Sequence, residues 1–176
     1  IVEHEGRAQV ITNGSKRARS YDLATGKVIW ECGGQAGNPI PTPIVRDGVA
    51  YVMTGFRGYA VYAIPLDSKG DVTGSDKVLW NRDDTGPYIS SAVLYGKHLY
   101  VTKGRDAILY CLEADNGEAV YGPGRLPGLS TLYSSPVAAN GRVYYSDRGG
   151  NTLVLEHGPE GFGVFGSDQR LLNTLL

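Results

Sequence analysis

The sequence predicts an all-β chain of four repeated units, each of four antiparallel strands. Three observations carry that prediction. An Asp/Gly turn followed by a β-prone run ending in an aromatic occurs four times, with Trp30, Trp80, Tyr121 and Phe165 falling 50, 41 and 44 residues apart. A second set of turns, marked by Gly6, Gly48, Gly96 and Gly141, repeats at intervals of 42, 48 and 45 residues. Glycine supplies 25 of the 176 residues, about twice its usual ~7% share, which suits a chain of many turns. A period of roughly 40–50 residues in strand-like sequence is the mark of a propeller blade array.

Each unit justifies its strands in turn. In the first, Tyr21-Asp22-Leu23-Ala24-Thr25-Gly26-Lys27-Val28-Ile29-Trp30 reads as a strand end, a tight turn and the next strand. Asp22 can accept bonds from the turn's backbone N–H groups, and Gly26 supplies φ > 0 without a Cβ penalty. Asp71 to Trp80 keeps the Asp, the Thr-Gly and the Trp with two extra residues in the turn. Asp115-Asn116-Gly117 leads to Tyr121, and Gly161 to Phe165 keeps only a Gly and an aromatic. Upstream of these lie hairpin signals such as Asp47-Gly48 and Asn140-Gly141, residue types that tolerate the φ > 0 a type I′ turn demands. Ahead of the hairpins come short leading strands, Pro41 to Val45, Ser90 to Leu94 and Ser134 to Ala138, where proline suits an edge. The units fall at roughly 1–33, 40–85, 89–128 and 132–170, with the leading strand of the first clipped to Ile1-Val2. The apolar tail Leu171, Leu172, Leu175 and Leu176 has no partner in the last unit and predicts a longer chain or a covering partner.

The totals exclude several function classes. A net charge of −1 speaks against a nucleic-acid or anionic membrane-surface partner. No apolar run reaches the ~18 residues of a membrane-spanning helix. Cys32 and Cys111 lie 79 residues apart without a CxxC pair, so they fix neither compartment nor metal. The chain opens at Ile1 without a Met or a signal-like segment, the expectation for a processed or excised piece.

Asp22, Thr25, Gly26, Lys27 and Trp30 together match the motif Asp-x-x-Thr-Gly-Lys-x-x-Trp that ends the blades of pyrroloquinoline-quinone-like (PQQ-like) propellers. The sequence resembles that family over nearly its whole length, fully in the first unit and more faintly in each later one. The resemblance implies eight blades as a rule, so four here look like half a ring. It also implies a bacterial source and a periplasmic or otherwise extracytoplasmic location. The family includes quinoprotein dehydrogenases and the propeller lipoprotein that helps assemble bacterial outer-membrane proteins. The aromatics have a physical task, since a lone blade cannot bury both faces and a large ring fills the gap to its neighbour. Trp30, Trp80, Tyr121 and Phe165 are therefore expected to pack blades rather than touch ligand.

Candidate chemistry is sparse. Quinone-dependent dehydrogenases of the resembled family typically carry a vicinal cysteine pair and a calcium site; Cys32 and Cys111 are not adjacent, and no acidic run has calcium-loop spacing. No cofactor and no metal is expected, and the alternative is a piece of a quinone-dependent oxidoreductase with its cofactor site in missing blades. Gly161 to Gly166 fits GxGxxG literally but lies on an outer strand rather than in a βαβ unit. Asp67 to Asp71 with Asp76 reads as a solvated hairpin insertion. His4, His98 and His157 show no metal or triad spacing, and Asn13-Gly14-Ser15 reads as a turn. One constellation stands out. The turns joining strands two and three of every unit carry arginine, namely Arg17 and Arg19, Arg57, Arg105 and Arg148. On a ring these would form a basic arc suited to the carboxylate or phosphate groups of a protein partner or anionic ligand. The expectation is a non-catalytic binding or scaffold propeller, a homodimer or part of a longer ring.

Overall fold

The computed structural model describes residues 1–160 and the backbone of residues 164–167, and every regular element among them is a strand. Four antiparallel sheets follow one another along the chain. The first holds β1 (Val2–His4), β2 (Arg7–Asn13), β3 (Arg17–Asp22) and β4 (Val28–Gly33). The second holds β5 (Ile44–Arg46), β6 (Val49–Thr54), β7 (Ala60–Pro65) and β9 (Trp80–Arg82), with β8 (Gly70–Asp71) inserted before its last strand. After β10 (Gly86–Pro87) the third comprises β11 (Val93–Tyr95), β12 (His98–Gly104), β13 (Ile108–Glu113) and β14 (Ala119–Arg125). The fourth comprises β15 (Val137–Ala139), β16 (Arg142–Ser146), β17 (Thr152–Glu156) and β18 (Val164–Ser167).

The first hairpin of each sheet is set by turn chemistry. Glu5-Gly6, Asp47-Gly48 and Asn140-Gly141 place both residues at positive φ, as a type I′ turn requires. The third sheet differs: Tyr95 pairs with His98, so Gly96 takes the first turn position at φ 58°. This is the type II′ arrangement.

The Asp/Gly motif is more varied than its sequence echoes. In the first sheet Asp22 Oδ1 accepts the Thr25 N–H and hydroxyl at 2.7 and 2.6 Å, and the Gly26 N–H donates to the Asp22 carbonyl at 2.8 Å. In the third sheet the Gly117 N–H donates to the Glu113 carbonyl, so Glu113 rather than Asp115 holds the place of Asp22. Asp71 leaves the turn altogether. It lies in β8, which pairs parallel with β4 of the first sheet, Glu31 opposite Asp71. The expected solvated insertion is thus a strap. The Val72 N–H donates to the Glu31 carbonyl at 2.9 Å, Val72 is fully buried, and Thr73 Oγ1 accepts the Gly33 N–H at 2.7 Å.

Strand alternation puts one apolar set on each face, and neighbouring sheets share those faces. Between the first and second sheets lie Ala18, Trp30 and Cys32 against Ala50, Val52, Ile64 and the strap's Val72. Tyr51, Met53 and Trp80 on the other face of the second sheet meet Leu99, Val101, Tyr110 and Leu112 of the third. Tyr100, Leu109 and Cys111 then meet Val143, Tyr145, Leu153 and Leu155 of the fourth, with Tyr121 packed alongside. No hydrophobic cluster joins the first sheet to the fourth among the described residues. Phe165 lies in β18, but its side chain falls outside the described residues, as do Gly161 to Gly163 and the leucine tail.

Candidate functional site: the turn face

The turns between the second and third strands of each sheet share one face with the links between sheets. Main-chain bonds show it. Lys16 N–H donates to the Ala36 carbonyl, Tyr88 N–H to Gly104, Leu132 N–H to Arg105 and Arg148 N–H to Thr131. The turns of the first, third and fourth sheets are thereby pinned to links, so their side chains have fixed starting points.

The five arginines predicted for this face separate. Arg17 and Arg19 belong to β3 itself rather than to the turn, where alternation and register set them beside Glu31 of β4. Arg17 reaches Asp71 at 2.8 Å and Glu31 at 3.0 Å, and Arg19 reaches Glu31 at 2.9 Å. Arg57, Arg105 and Arg148 make no ion pair among the described residues, and all three are exposed. Asp147 does not pair with Arg148. It accepts bonds from Ser130, Gly149 and Asn151 and so ties its own turn to the preceding link.

Aromatic rings, unforeseen from sequence, organise this face. Phe56 stacks on Tyr88 with ring centroids 4.6 Å apart and an 18° interplanar angle. Arg57 lies over Phe56 at 5.2 Å, Lys103 over Tyr59 at 5.0 Å and Arg148 over Tyr133 at 4.8 Å. A ring face holds a cation without consuming its hydrogen-bond donors, so these groups stay open to an anion. Arg57 adopts φ 56°, a left-handed conformation uncommon outside glycine and found where a turn must aim a side chain. Phe56 and Tyr59 flank Arg57 in the sequence and were legible signals. Tyr88 and Tyr133 sit in links and reach the face only through the fold.

Other predicted features go elsewhere. Trp30 is fully buried in the first inter-sheet interface, and Trp80 in the second donates its indole N–H to the Ala114 carbonyl at 2.8 Å. Cys32 and Cys111 are buried, free and in different interfaces, and burial pushes each thiol up to about 11. Asn13 uses its side-chain amide on the carbonyls of Pro41 and Met53. Sequence spacing kept the histidines apart, yet packing of the third and fourth sheets brings the His98 and His157 rings to 5.2 Å. His157 accepts or donates a 2.8 Å bond with the Tyr100 hydroxyl, and burial followed by the nearness of His98 holds its pKa below the usual histidine range. No cluster of three His, Cys, Asp or Glu side chains fit for a metal occurs among the described residues.

Meandering antiparallel sheets stacked face to face define a repeat protein of the propeller class. The family model described as outer membrane protein assembly factor BamB matches residues 2–155, and the chain belongs to that family. The structure of BamB from Moraxella catarrhalis aligns with a TM-score of 0.63 at 14% identity, covering 93% of this chain and 49% of that one. The computationally designed Ika4 protein aligns at 0.60 with 11% identity, covering 85% of this chain and 86% of its own. Quinohemoprotein alcohol dehydrogenase ADHIIG from Pseudomonas putida HK5 aligns at 0.51 with 22% identity, over 70% of this chain and 19% of that one. No curated protein matches. The chain spans about half the length of the BamB structure it matches. Among the described residues no helix is long and apolar enough to cross a membrane.

Proposed function

We propose that the chain is a non-catalytic scaffold propeller working outside the cytoplasm, and that its turn face docks an anionic surface of a protein partner. The observation that carries this reading is the row of Arg57, Lys103, Arg105 and Arg148, none in an ion pair among the described residues and three held over rings. Family membership and the outer-membrane-assembly description support the scaffold role and the compartment. Fold likeness to a dehydrogenase at 22% identity supports no redox chemistry here.

The same reading makes the four sheets half of an eight-blade ring. Ala8 and Val10 hold the register of Ala50 and Val52, Leu99 and Val101, and Val143 and Tyr145. Those six are at most 1% exposed, whereas Ala8 and Val10 are only half-buried. A relay along the leading strands supports continuation too: Thr42 N–H donates to Ser91 Oγ and Ser91 N–H to Ser135 Oγ, both at 2.9 Å. A further blade supplies the next hydroxyl.

The test is site-specific photocrosslinking in the cells that make the protein. Probes replacing Arg57 and Arg148 give a discrete protein adduct, while probes replacing Asp47 and Asn140, in the hairpins of the opposite face, do not. Adducts that are equal from both faces, or a position-148 adduct that survives charge reversal at Arg57 and Arg105, overturn the reading.

A further inference from the structure

Several hollows mark the described surface, and three of them bear comparison. One of about 400 Å³ beside Asp67, Lys69, Asp76 and Lys77, and one of about 290 Å³ beside Glu5, Arg7, Asp67 and Lys69, offset acid with base and hold no Phe, Tyr or Trp. The third, of about 320 Å³, lies on the turn face between the second and third sheets, lined by Phe56, Tyr59, Tyr88, Gly104, Arg105 and Asp106. It differs in its three aromatic rings. Arg105 and Asp106 offset each other in the lining, and two further cations, Arg57 and Lys103, stand over Phe56 and Tyr59.

We propose that this groove binds a short extended peptide segment of a protein partner, taking an aromatic side chain against its rings and the neighbouring carboxylate on Arg105. The inference rests on the docking-face reading above. Phe56 and Tyr88 form one wall as a stacked pair and Tyr59 stands in the other, all half-buried and so presenting rigid apolar area. Gly104 also lines the groove and adds no side chain to it. At φ 60° it favours glycine, and a Cβ there would stand 3.6 Å from the Tyr59 ring and from the Gly55 carbonyl, in the space a ligand would fill.

The cation chemistry selects the anion. The Arg105 carbonyl accepts the Leu132 N–H at 2.8 Å, which anchors the backbone from which an unpaired guanidinium extends. Guanidinium matches carboxylate with two parallel bonds. Arg57 and Lys103, held over Phe56 and Tyr59, add positive field at the rim. Asp106 sits beside Arg105 in the groove wall and repels anions in proportion to their charge, a dense polyanion such as a phosphate chain more than a carboxylate on an apolar body. The volume lies at the low end of ligand pockets, room for one ring and adjoining backbone rather than for a cofactor.

The experiment is amide-resolved NMR titration of the chain with three capped tripeptides: Ac-Glu-Phe-Glu-NH2, Ac-Gln-Phe-Gln-NH2 and Ac-Glu-Ala-Glu-NH2. The first produces saturable shifts at Gly55, Gly104 and Asp106, and the other two bind at least about fivefold more weakly, as loss of a charged hydrogen bond or an aromatic contact dictates. Arg105→Gln, an exposed change, brings the first peptide down to the level of the second, while Lys27→Gln on the opposite face changes nothing. No saturable shift up to millimolar peptide, or equal binding of the Glu and Gln peptides, overturns the inference. Failure here with crosslinks from positions 57 and 148 intact sinks the groove alone; loss of those crosslinks sinks the docking face as well.

Discussion

The two tryptophans make opposite demands on their surroundings, and replacing each by phenylalanine separates packing from hydrogen bonding. Trp30 is 0% exposed and its indole N–H has no acceptor among the described residues. Trp80 is 9% exposed, and its N–H donates to Ala114 O at 2.8 Å. Losing the five-membered ring removes about 1 kcal/mol of buried apolar contact at either site. Packing alone therefore makes the more buried Trp30 at least as costly to change. Hydrogen bonding reverses the order. Trp30→Phe also removes a buried, unmatched donor whose desolvation costs about 1–3 kcal/mol, so the net change is near zero or stabilising. Trp80→Phe adds a lost bond of about 1 kcal/mol to the packing loss, although the Ala114 carbonyl keeps the Tyr51 hydroxyl at 3.2 Å. The expected net is about 2 kcal/mol of destabilisation for Trp80→Phe. At an m-value of about 2 kcal/mol/M that lowers the urea midpoint by about 1 M. The assay is equilibrium urea unfolding followed by far-UV circular dichroism, with m unchanged as the condition for comparison. A midpoint for Trp30→Phe at or below that of Trp80→Phe refutes the reasoning.

Other outcomes follow from the same contacts. Asp71 is held at a pKa of about 2, first by the Thr73 hydroxyl and N–H and then by Arg17. Its folded value lies below the usual unfolded one near ~3.9, so its stabilisation is present above that pH and is lost as pH falls toward 2. Asp71→Asn flattens the acid limb of the stability profile in that window; an unchanged limb contradicts the strap's role. The thiols of Cys32 and Cys111, each raised to about 11 by burial, react with Ellman's reagent only on unfolding; prompt labelling of the native chain contradicts their placement.

Much of the fold was legible because its signals are local. Asp47-Gly48 and Asn140-Gly141 dictate hairpins through φ alone, and alternation in β6 already sorts Tyr51 and Met53 from Ala50 and Val52. The strap was not legible. An Asp with a nearby Thr caps the turn at Asp22 and Thr25, but at Asp71 and Thr73 the same pair orders a segment that crosses to another sheet. Sequence similarity there reflected shared capping chemistry rather than shared position. The arginine arc was read in part for a related reason. Arg19 becomes the partner of Glu31 only once the register of β3 on β4 is known, and that register includes a bulge after Ser20. Lys103 joins the face because β12 carries it to Tyr59, and His98 meets His157 only through inter-sheet packing.

The central structural claim is that the outer faces of the first and fourth sheets are blade interfaces awaiting neighbours. Light scattering on a sizing column tests it most directly. The account predicts that the 18.9 kDa chain elutes at twice that mass or above, as open faces close on one another. A monodisperse monomer across a wide concentration range contradicts it.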